Sequence, residues 1–228
     1  MAECYMCSKE AISLEHVPPR CIFPESKDIP SGANYRRNLI KVASCAEHNL
    51  QKSGDDEYLL YVLVSNFEVN SAGLGQWATK LRRSMNRRPS NRGIFHNLKP
   101  VLYRGVRTSL YDIDFERITQ EFDRISRGIY YYHFRQHWPY DIDIVFPSAI
   151  SVGSNESERH NRVVAEAAAL VVRFLQDEIR IGDNPEIFYY QHKLKNDSPG
   201  YIQRMVFYGR IEVVAFSSPE MDTSEQAA

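Results

Sequence analysis

Two short pairs of metal-ligand residues decide the fold of the N-terminal part of the chain: Cys4-Tyr5-Met6-Cys7 and Cys45-Ala46-Glu47-His48. In each pair two residues separate the candidate ligands, so that a tight turn can direct both side chains at one ion. Three cysteines and one histidine suit a tetrahedral Zn²⁺ site. Because 37 residues separate Cys7 from Cys45, we expect the intervening loop to be held in place by the rest of the fold.

Other interpretations of the cysteines stay open at this point. A single Cys-x-x-Cys pair is also typical of redox proteins, but the second pair favours metal binding. The metal site itself is either part of a catalytic unit or purely structural. Cys21 has no partner in the pattern and is interpreted as a small buried apolar residue. With three of its four cysteines assigned to a metal, the chain is expected in a reducing compartment rather than as a disulfide scaffold.

A carboxylate–histidine segment, Glu15-His16-Val17-Pro18-Pro19, lies between the two pairs, and Asn49 directly follows the second pair. This order of motifs resembles the zinc-containing branch of the HNH endonucleases, and the resemblance covers residues 4–52. His48 stands at a position where that branch more often has a fourth zinc cysteine. The resemblance implies a ββα-metal finger, in which two strands and a helix surround one catalytic divalent ion.

The resemblance also implies roles for individual residues. Glu15 stands where the family has an aspartate that binds the catalytic metal, and His16 stands where the family has its general base. Asn49 stands at the second position that binds the catalytic metal. Asn38 stands near the asparagine that braces the histidine-bearing loop, with Asn34 as the alternative.

The chemistry of these side chains agrees with the implied roles. Hydrolysis of a phosphodiester needs an activated water and a cation that stabilises charge on the phosphoryl and leaving oxygens. Histidine accepts a proton near neutral pH because its ordinary pKa is about 6.5. Glutamate and asparagine offer hard oxygen ligands, which suit Mg²⁺ or Mn²⁺. We therefore expect a structural Zn²⁺ and a single catalytic Mg²⁺ or Mn²⁺, in a site that nicks one strand at a time.

A basic segment follows the N-terminal motifs. Between Glu68 and Asp112 the chain has nine basic residues and no acidic one, although the net charge of the whole chain is −1. Such a segment can neutralise phosphates and give affinity for nucleic acid with little sequence choice. A solvated charged face is the alternative interpretation. The residues expected to contact nucleic acid are Lys80, Arg82, Arg83, Arg87, Arg88 and Arg92.

The chain is expected to be an α+β protein in four parts. A hydrophobic content of 43% and an aromatic content of 12% are sufficient for an ordinary core. The parts are an HNH-like zinc and ββα-metal nuclease domain at 1–68, a basic helical connector at 69–99, an α+β domain at 100–216 and a disordered acidic tail at 217–228.

Hydrophobic periodicity predicts the positions of helices and strands. One predicted helix begins near Ala46. Three further helices are predicted at Asp55–Phe67, Phe115–Arg135 and Arg159–Ile179. The predicted strands are Ser13–Val17, Leu39–Val42, Val101–Tyr111, Asp141–Ile150, Glu186–His192 and Tyr201–Phe216, the last with a turn at Gly209.

Neither a signal peptide nor a membrane span is expected. The N-terminus lacks the basic and then apolar pattern of a signal peptide. The longest apolar run, Tyr58–Val64, is far shorter than the ~20 residues that cross a bilayer. These observations predict a cytoplasmic protein without a membrane partner.

The leading functional hypothesis is an endonuclease that hydrolyses DNA phosphodiester bonds with His16 as general base. RNA is the alternative substrate. A second hypothesis is a zinc-stabilised module that binds nucleic acid without turnover. A third is a nuclease subunit of a bacterial or phage defence complex, active only with a partner such as an ATPase. A homodimer is a further expectation that the sequence leaves open.

Overall fold

The computed structural model describes residues 2–50, 53–87, 95–103, 105–194 and 200–217. It mixes helices with antiparallel strands, in agreement with the α+β class expected from the sequence. The proposed tail at 218–228 and two proposed nucleic-acid contacts, Arg88 and Arg92, lie outside the described residues. Ser217, which we assigned to the tail, is buried, and its hydroxyl accepts the Tyr201 N–H at 3.3 Å.

The N-terminal unit, residues 2–50, contains two antiparallel strand pairs and a short helix. Its elements are β1 (Glu3–Cys4), β2 (Cys7–Glu10), β3 (Ser13–His16), β4 (Lys41–Ser44) and α1 (Ala46–Leu50). β1 pairs with β2, and β3 pairs with β4. Tyr5 N donates to Ala43 O at 2.8 Å, which ties the β1–β2 hairpin to β4. The strand predicted near Leu39–Val42 begins two residues later, at Lys41.

The loop between β3 and β4 is held by contacts with later parts of the chain. It forms two short 3₁₀ turns, Arg20–Ile22 and Ser26–Asp28, and its prolines exclude a longer helix. The Ile22 carbonyl accepts hydrogen bonds from Gln76 Nε2 (2.6 Å) and Tyr208 Oη (2.5 Å). This agrees with the expectation that the rest of the fold fixes the long spacer between the ligand pairs.

Helix α2 (Ser53–Val64) is buried almost all round, as its apolar composition predicted. The basic connector that follows consists of α3 (Ser71–Gln76), a π-helical turn (Trp77–Leu81) and α4 (Arg82–Arg87). Asn70 begins α3 because its Oδ1 accepts the Gly73 N–H at 3.1 Å.

The single strand predicted at Val101–Tyr111 is instead a two-stranded ribbon. β5 (His96–Tyr103) and β6 (Val106–Asp112) pair with each other in antiparallel orientation. Gly105 adopts a φ of +80° between them, a backbone conformation that glycine accepts readily. The sequence pattern identified the turn residue, but it did not separate the two strands.

The C-terminal part is a five-stranded antiparallel sheet between two helices. Its helices are α5 (Phe115–Phe134) and α6 (Asn155–Phe174). Its strands, in spatial order, are β7 (Asp143–Val145), β11 (Ile211–Phe216), β10 (Tyr201–Phe207), β9 (Phe188–Leu194) and β8 (Ile181–Asn184). The predicted turn at Gly209 separates β10 from β11, whereas β8 was not predicted.

One hydrophobic cluster joins the N-terminal unit, α2, the connector and the sheet. Val17 of the N-terminal unit packs on Gly128 of α5, where an added Cβ would lie 2.7 Å from Val17 Cγ2. Asn184 Nδ2 at the sheet edge donates to Arg37 O at 3.2 Å. Within the described part of the chain, no helix has both the length and the apolar composition that a membrane span requires.

Candidate metal centre

The four predicted zinc ligands come together in space. Their ligand atoms all lie within 4.8 Å of one another. His48 Nδ1 lies 3.3 Å from Cys45 Sγ, 3.5 Å from Cys4 Sγ and 3.6 Å from Cys7 Sγ. Cys7 Sγ and Cys45 Sγ are 3.9 Å apart.

These distances fit a single tetrahedral zinc ion. Zinc binds sulfur at about 2.3 Å and imidazole nitrogen at about 2.0 Å, so tetrahedral ligands lie about 3.5–3.8 Å apart. These four distances are within a few tenths of an ångström of that range. The residues present therefore fit the metal that the sequence predicted, with His48 binding through Nδ1.

Local structure places the ligands in two groups. Cys4 and Cys7 flank the turn of the β1–β2 hairpin, and Cys45 and His48 flank the start of α1. The backbone N–H of His48 lowers the pKa of the Cys45 thiol, which favours the thiolate that a metal requires. Burial lowers the pKa of His48, which favours the neutral imidazole that binds metal.

Two residues of the C-terminal part support the β1–β2 hairpin from outside. His137 Nε2 donates to the Cys4 carbonyl oxygen at 2.7 Å, and Tyr131 Oη donates to Glu3 O at 3.1 Å. Neither residue is part of a metal-ligand motif in the sequence. They lie more than a hundred residues from Cys4 and Glu3, and no motif connects them.

Glu15, the proposed ligand of the catalytic metal, is buried. It is 4% exposed, and its Oε1 accepts a hydrogen bond from Tyr5 Oη at 3.2 Å. Asn49 Nδ2 donates to Ser13 Oγ at 2.7 Å. Because residues i and i+2 of a strand share a face, Ser13 places Asn49 on the same side of β3 as Glu15.

His16, the proposed general base, lies on the other side of β3. Successive strand residues point to opposite faces, and His16 pairs with exposed Lys41 whereas Glu15 pairs with buried Val42. The structure therefore brings Glu15 and Asn49 to one face and leaves His16 on the opposite one.

Three cations lie near enough to His16 for their charges to act on it. Burial lowers the pKa of its imidazole, and the positive charges of Lys41, Arg20 and Arg36 lower it further. Arg36 is held by its Nε, which donates to Phe23 O at 3.0 Å. Lys41 could have been found from the strand pairing alone, but the positions of the two arginines depend on the fold of the loop.

The two asparagines considered as a brace lie at the surface. Asn38 is exposed and has a φ of +53°, in the left-handed region that asparagine tolerates better than most residues. Asn34 Oδ1 accepts the Arg36 N–H at 3.0 Å, which closes a local turn. Asn34 therefore stabilises the segment that carries Arg36, and Asn38 allows a sharp change of chain direction.

The proposed nucleic-acid contacts that the structure describes separate into two classes. Lys80 is half-buried, and its Nζ donates to Cys21 O at 2.8 Å. Arg83 is exposed but forms a two-point ion pair with Asp28, with both N–O distances 2.7 Å. Arg82 and Arg87 are exposed on α4. The latter two are thus better placed than Lys80 to contact a polyanion.

Comparison of the chain with protein-family models, with curated proteins and with solved structures finds no match in any of the three. Function is therefore inferred from the side chains of the site itself.

Proposed function

We propose that the chain is a metal-dependent endonuclease of the HNH type that hydrolyses DNA phosphodiester bonds. The position of His16 carries the proposal. This histidine lies on a strand of the unit that contains the Cys₃His cluster. It pairs across the strands with Lys41, and the positive charges of Lys41, Arg20 and Arg36 act on its imidazole. A proton acceptor among three cations is an arrangement suited to a phosphodiester.

Each group has a chemical task in the proposed reaction. Neutral His16 accepts the proton of the attacking water, and its lowered pKa keeps it neutral at pH 7. The three cations attract the phosphate and stabilise its negative charge. By the resemblance Glu15 and Asn49 are the residues that would hold Mg²⁺ or Mn²⁺; they share a face of β3, but it is the face opposite His16, so an ion held there would not lie beside the base. When bound, such an ion supplies charge stabilisation at the phosphoryl and leaving oxygens.

The test is nicking of supercoiled plasmid DNA with Mg²⁺ or Mn²⁺. His16→Ala is expected to lose activity by about a hundredfold or more, which is the usual effect of removing a general base. Leu14→Ala is the matched control, because Leu14 is 62% exposed and lies on the same face of β3 as His16. Both variants must first be shown to retain one zinc per chain. Equal nicking by wild type and His16→Ala would contradict the assignment of the base.

A second candidate function is a zinc-stabilised module that binds nucleic acid without turnover. The burial of Glu15 against Tyr5, on the face of β3 opposite His16, favours it. This candidate predicts no metal-dependent nicking by the wild type, together with DNA binding that weakens as salt is raised. Arg82→Glu and Arg87→Glu should reduce that binding, whereas neither substitution touches the zinc ligands.

A further inference from the structure

Helix α6 carries two apolar stripes that run side by side. The inner stripe, Ala168, Val171 and Leu175, packs on the sheet with Val214. The outer stripe lies beside the inner one and includes large exposed side chains; its last member, Phe174, meets the sheet, with Lys193 Nζ of β9 5.4 Å from its ring centroid. In it, Val163 is 58% exposed, Leu170 is 64% exposed and Phe174 is 45% exposed. The outer stripe of α6 consists of Val163, Ala167, Leu170 and Phe174.

The outer stripe has the spacing of a helix–helix seam. Its members follow one another at intervals of four, three and four residues, the interval pattern by which helices pair. Single exposed apolar residues are ordinary on a surface, but a continuous row of them marks an interaction site. Ala167 in the centre of the row lets a second helix approach to the usual axis distance of about 8–10 Å.

Two opposite charges border the outer stripe. Glu166 and Arg173 are both exposed and seven residues apart, so that they lie on one side of α6, about two turns from each other. Among the described residues, no ion pair includes either of them. Two such helices packed in antiparallel orientation place Glu166 of each opposite Arg173 of the other. In parallel packing neither charge meets an opposite one.

We propose that a second copy of this chain covers the outer stripe, with α6 packed against α6 in antiparallel orientation about a twofold axis. In this register Val163 lies opposite the partner's Phe174, and Ala167 lies opposite the partner's Leu170. Each layer thus pairs a larger side chain with a smaller one, and two symmetric Glu166–Arg173 ion pairs select the orientation. The inference does not depend on the proposed nuclease activity, since it rests on α6 alone.

The mass of the full chain in solution tests this dimer. Light scattering and sedimentation under reducing conditions should give twice the chain mass of 26.4 kDa at tens of micromolar protein. Leu170→Glu should give the monomer mass, because it places a charge in the centre of the seam. Leu102→Glu is the matched control: Leu102 is 72% exposed on the β5–β6 ribbon, and its replacement should leave the dimer intact.

A charge exchange tests the antiparallel register. Arg173→Glu places two carboxylates opposite each other and should raise the dissociation constant of the dimer at least tenfold. Adding Glu166→Arg to that variant should return the dissociation constant of the dimer to within a few-fold of the wild-type value. A wild type that stays monomeric at every concentration would overturn the proposal and assign the face to a different protein. A dimer that survives Leu170→Glu, or a charge exchange that fails to restore it, would equally overturn it.

Discussion

His192 is a single residue whose environment makes the stability of the protein depend on pH. It lies on β9 with its ring centroid 4.3 Å from that of His133 on α5. Burial and the neighbouring charge of His133 lower the pKa of His192 to about 4. In the unfolded chain His192 takes up a proton near pH 6.5, whereas in the folded chain it takes up a proton only near pH 4. Stability due to this residue is therefore complete above pH 6.5 and is lost as pH falls toward 4.

His192→Phe should make the protein less sensitive to acid. Between pH 7.5 and pH 5, the wild type is expected to lose about 2 kcal/mol of unfolding free energy through this residue. The variant should lose correspondingly less, as measured by urea unfolding at both pH values. His160→Gln, at an exposed position of α6, is the control and should behave as wild type. Both variants keep the zinc ligands, so the pH dependence of zinc binding cancels in the comparison.

At the scale of elements, the contact between α5 and the N-terminal unit requires a glycine. Gly128 lies in the middle of α5, and Val17 directly follows β3. A Cβ at Gly128 would lie 2.7 Å and 2.9 Å from the two methyl carbons of Val17. Valine has few rotamers into which it can retreat. The close approach of helix and strand thus depends on the missing side chain.

Gly128→Ala should destabilise the protein although alanine is the better helix former. We expect a loss of about 1–3 kcal/mol, the usual cost of overpacking. Gly75→Ala is the matched control, because Gly75 is also helical and has nothing within 4 Å of its Cβ position. The control should gain up to about 1 kcal/mol. Chemical denaturation of both variants measures the difference, and a Gly128→Ala protein as stable as the control would refute the proposed contact.

At the scale of the whole molecule, zinc at the Cys₃His cluster is expected to stabilise the C-terminal part of the chain as well as the N-terminal unit. His137 donates to the carbonyl of the ligand Cys4, and neighbouring Trp138 is buried in an aromatic cluster with Tyr130 and Tyr201. One hydrophobic cluster extends from Cys4 to Ala215. Loss of zinc should therefore loosen the C-terminal part as well.

Cys45→Ser or treatment with a zinc chelator should lower the thermal midpoint of the entire chain in one transition. Far-ultraviolet circular dichroism and tryptophan emission should report the same midpoint, since Trp138 lies close to the zinc-binding hairpin. Cys21→Ser is the control: Cys21 donates to Asp56 O and is not part of the cluster. Two separate transitions, with only the first sensitive to zinc, would contradict this coupling.

The sequence predicted the site to different degrees at different residues. The clustering of Cys4, Cys7, Cys45 and His48 was predicted correctly because a two-residue spacing is a local property that a turn converts directly into geometry. The helices α2, α5 and α6 followed from apolar periodicity, which is also local. The roles implied for Glu15, His16 and Asn49 stay predictions. Glu15 and His16 project from opposite faces of β3, and Asn49 of α1 reaches β3 through Ser13.

Local spacings of a few residues predicted the Cys₃His set, the α+β class and helix α6. The packing of α6 on the sheet decided which of its apolar side chains are buried and which stay exposed. Only the tertiary structure decided which side chains meet across the fold. The bond from Tyr5 to Glu15, the three cations around His16 and the support of Cys4 by His137 join segments far apart in the chain. The packing of α5, the sheet and the long loop fixes such contacts, and no local pattern of residues encodes them.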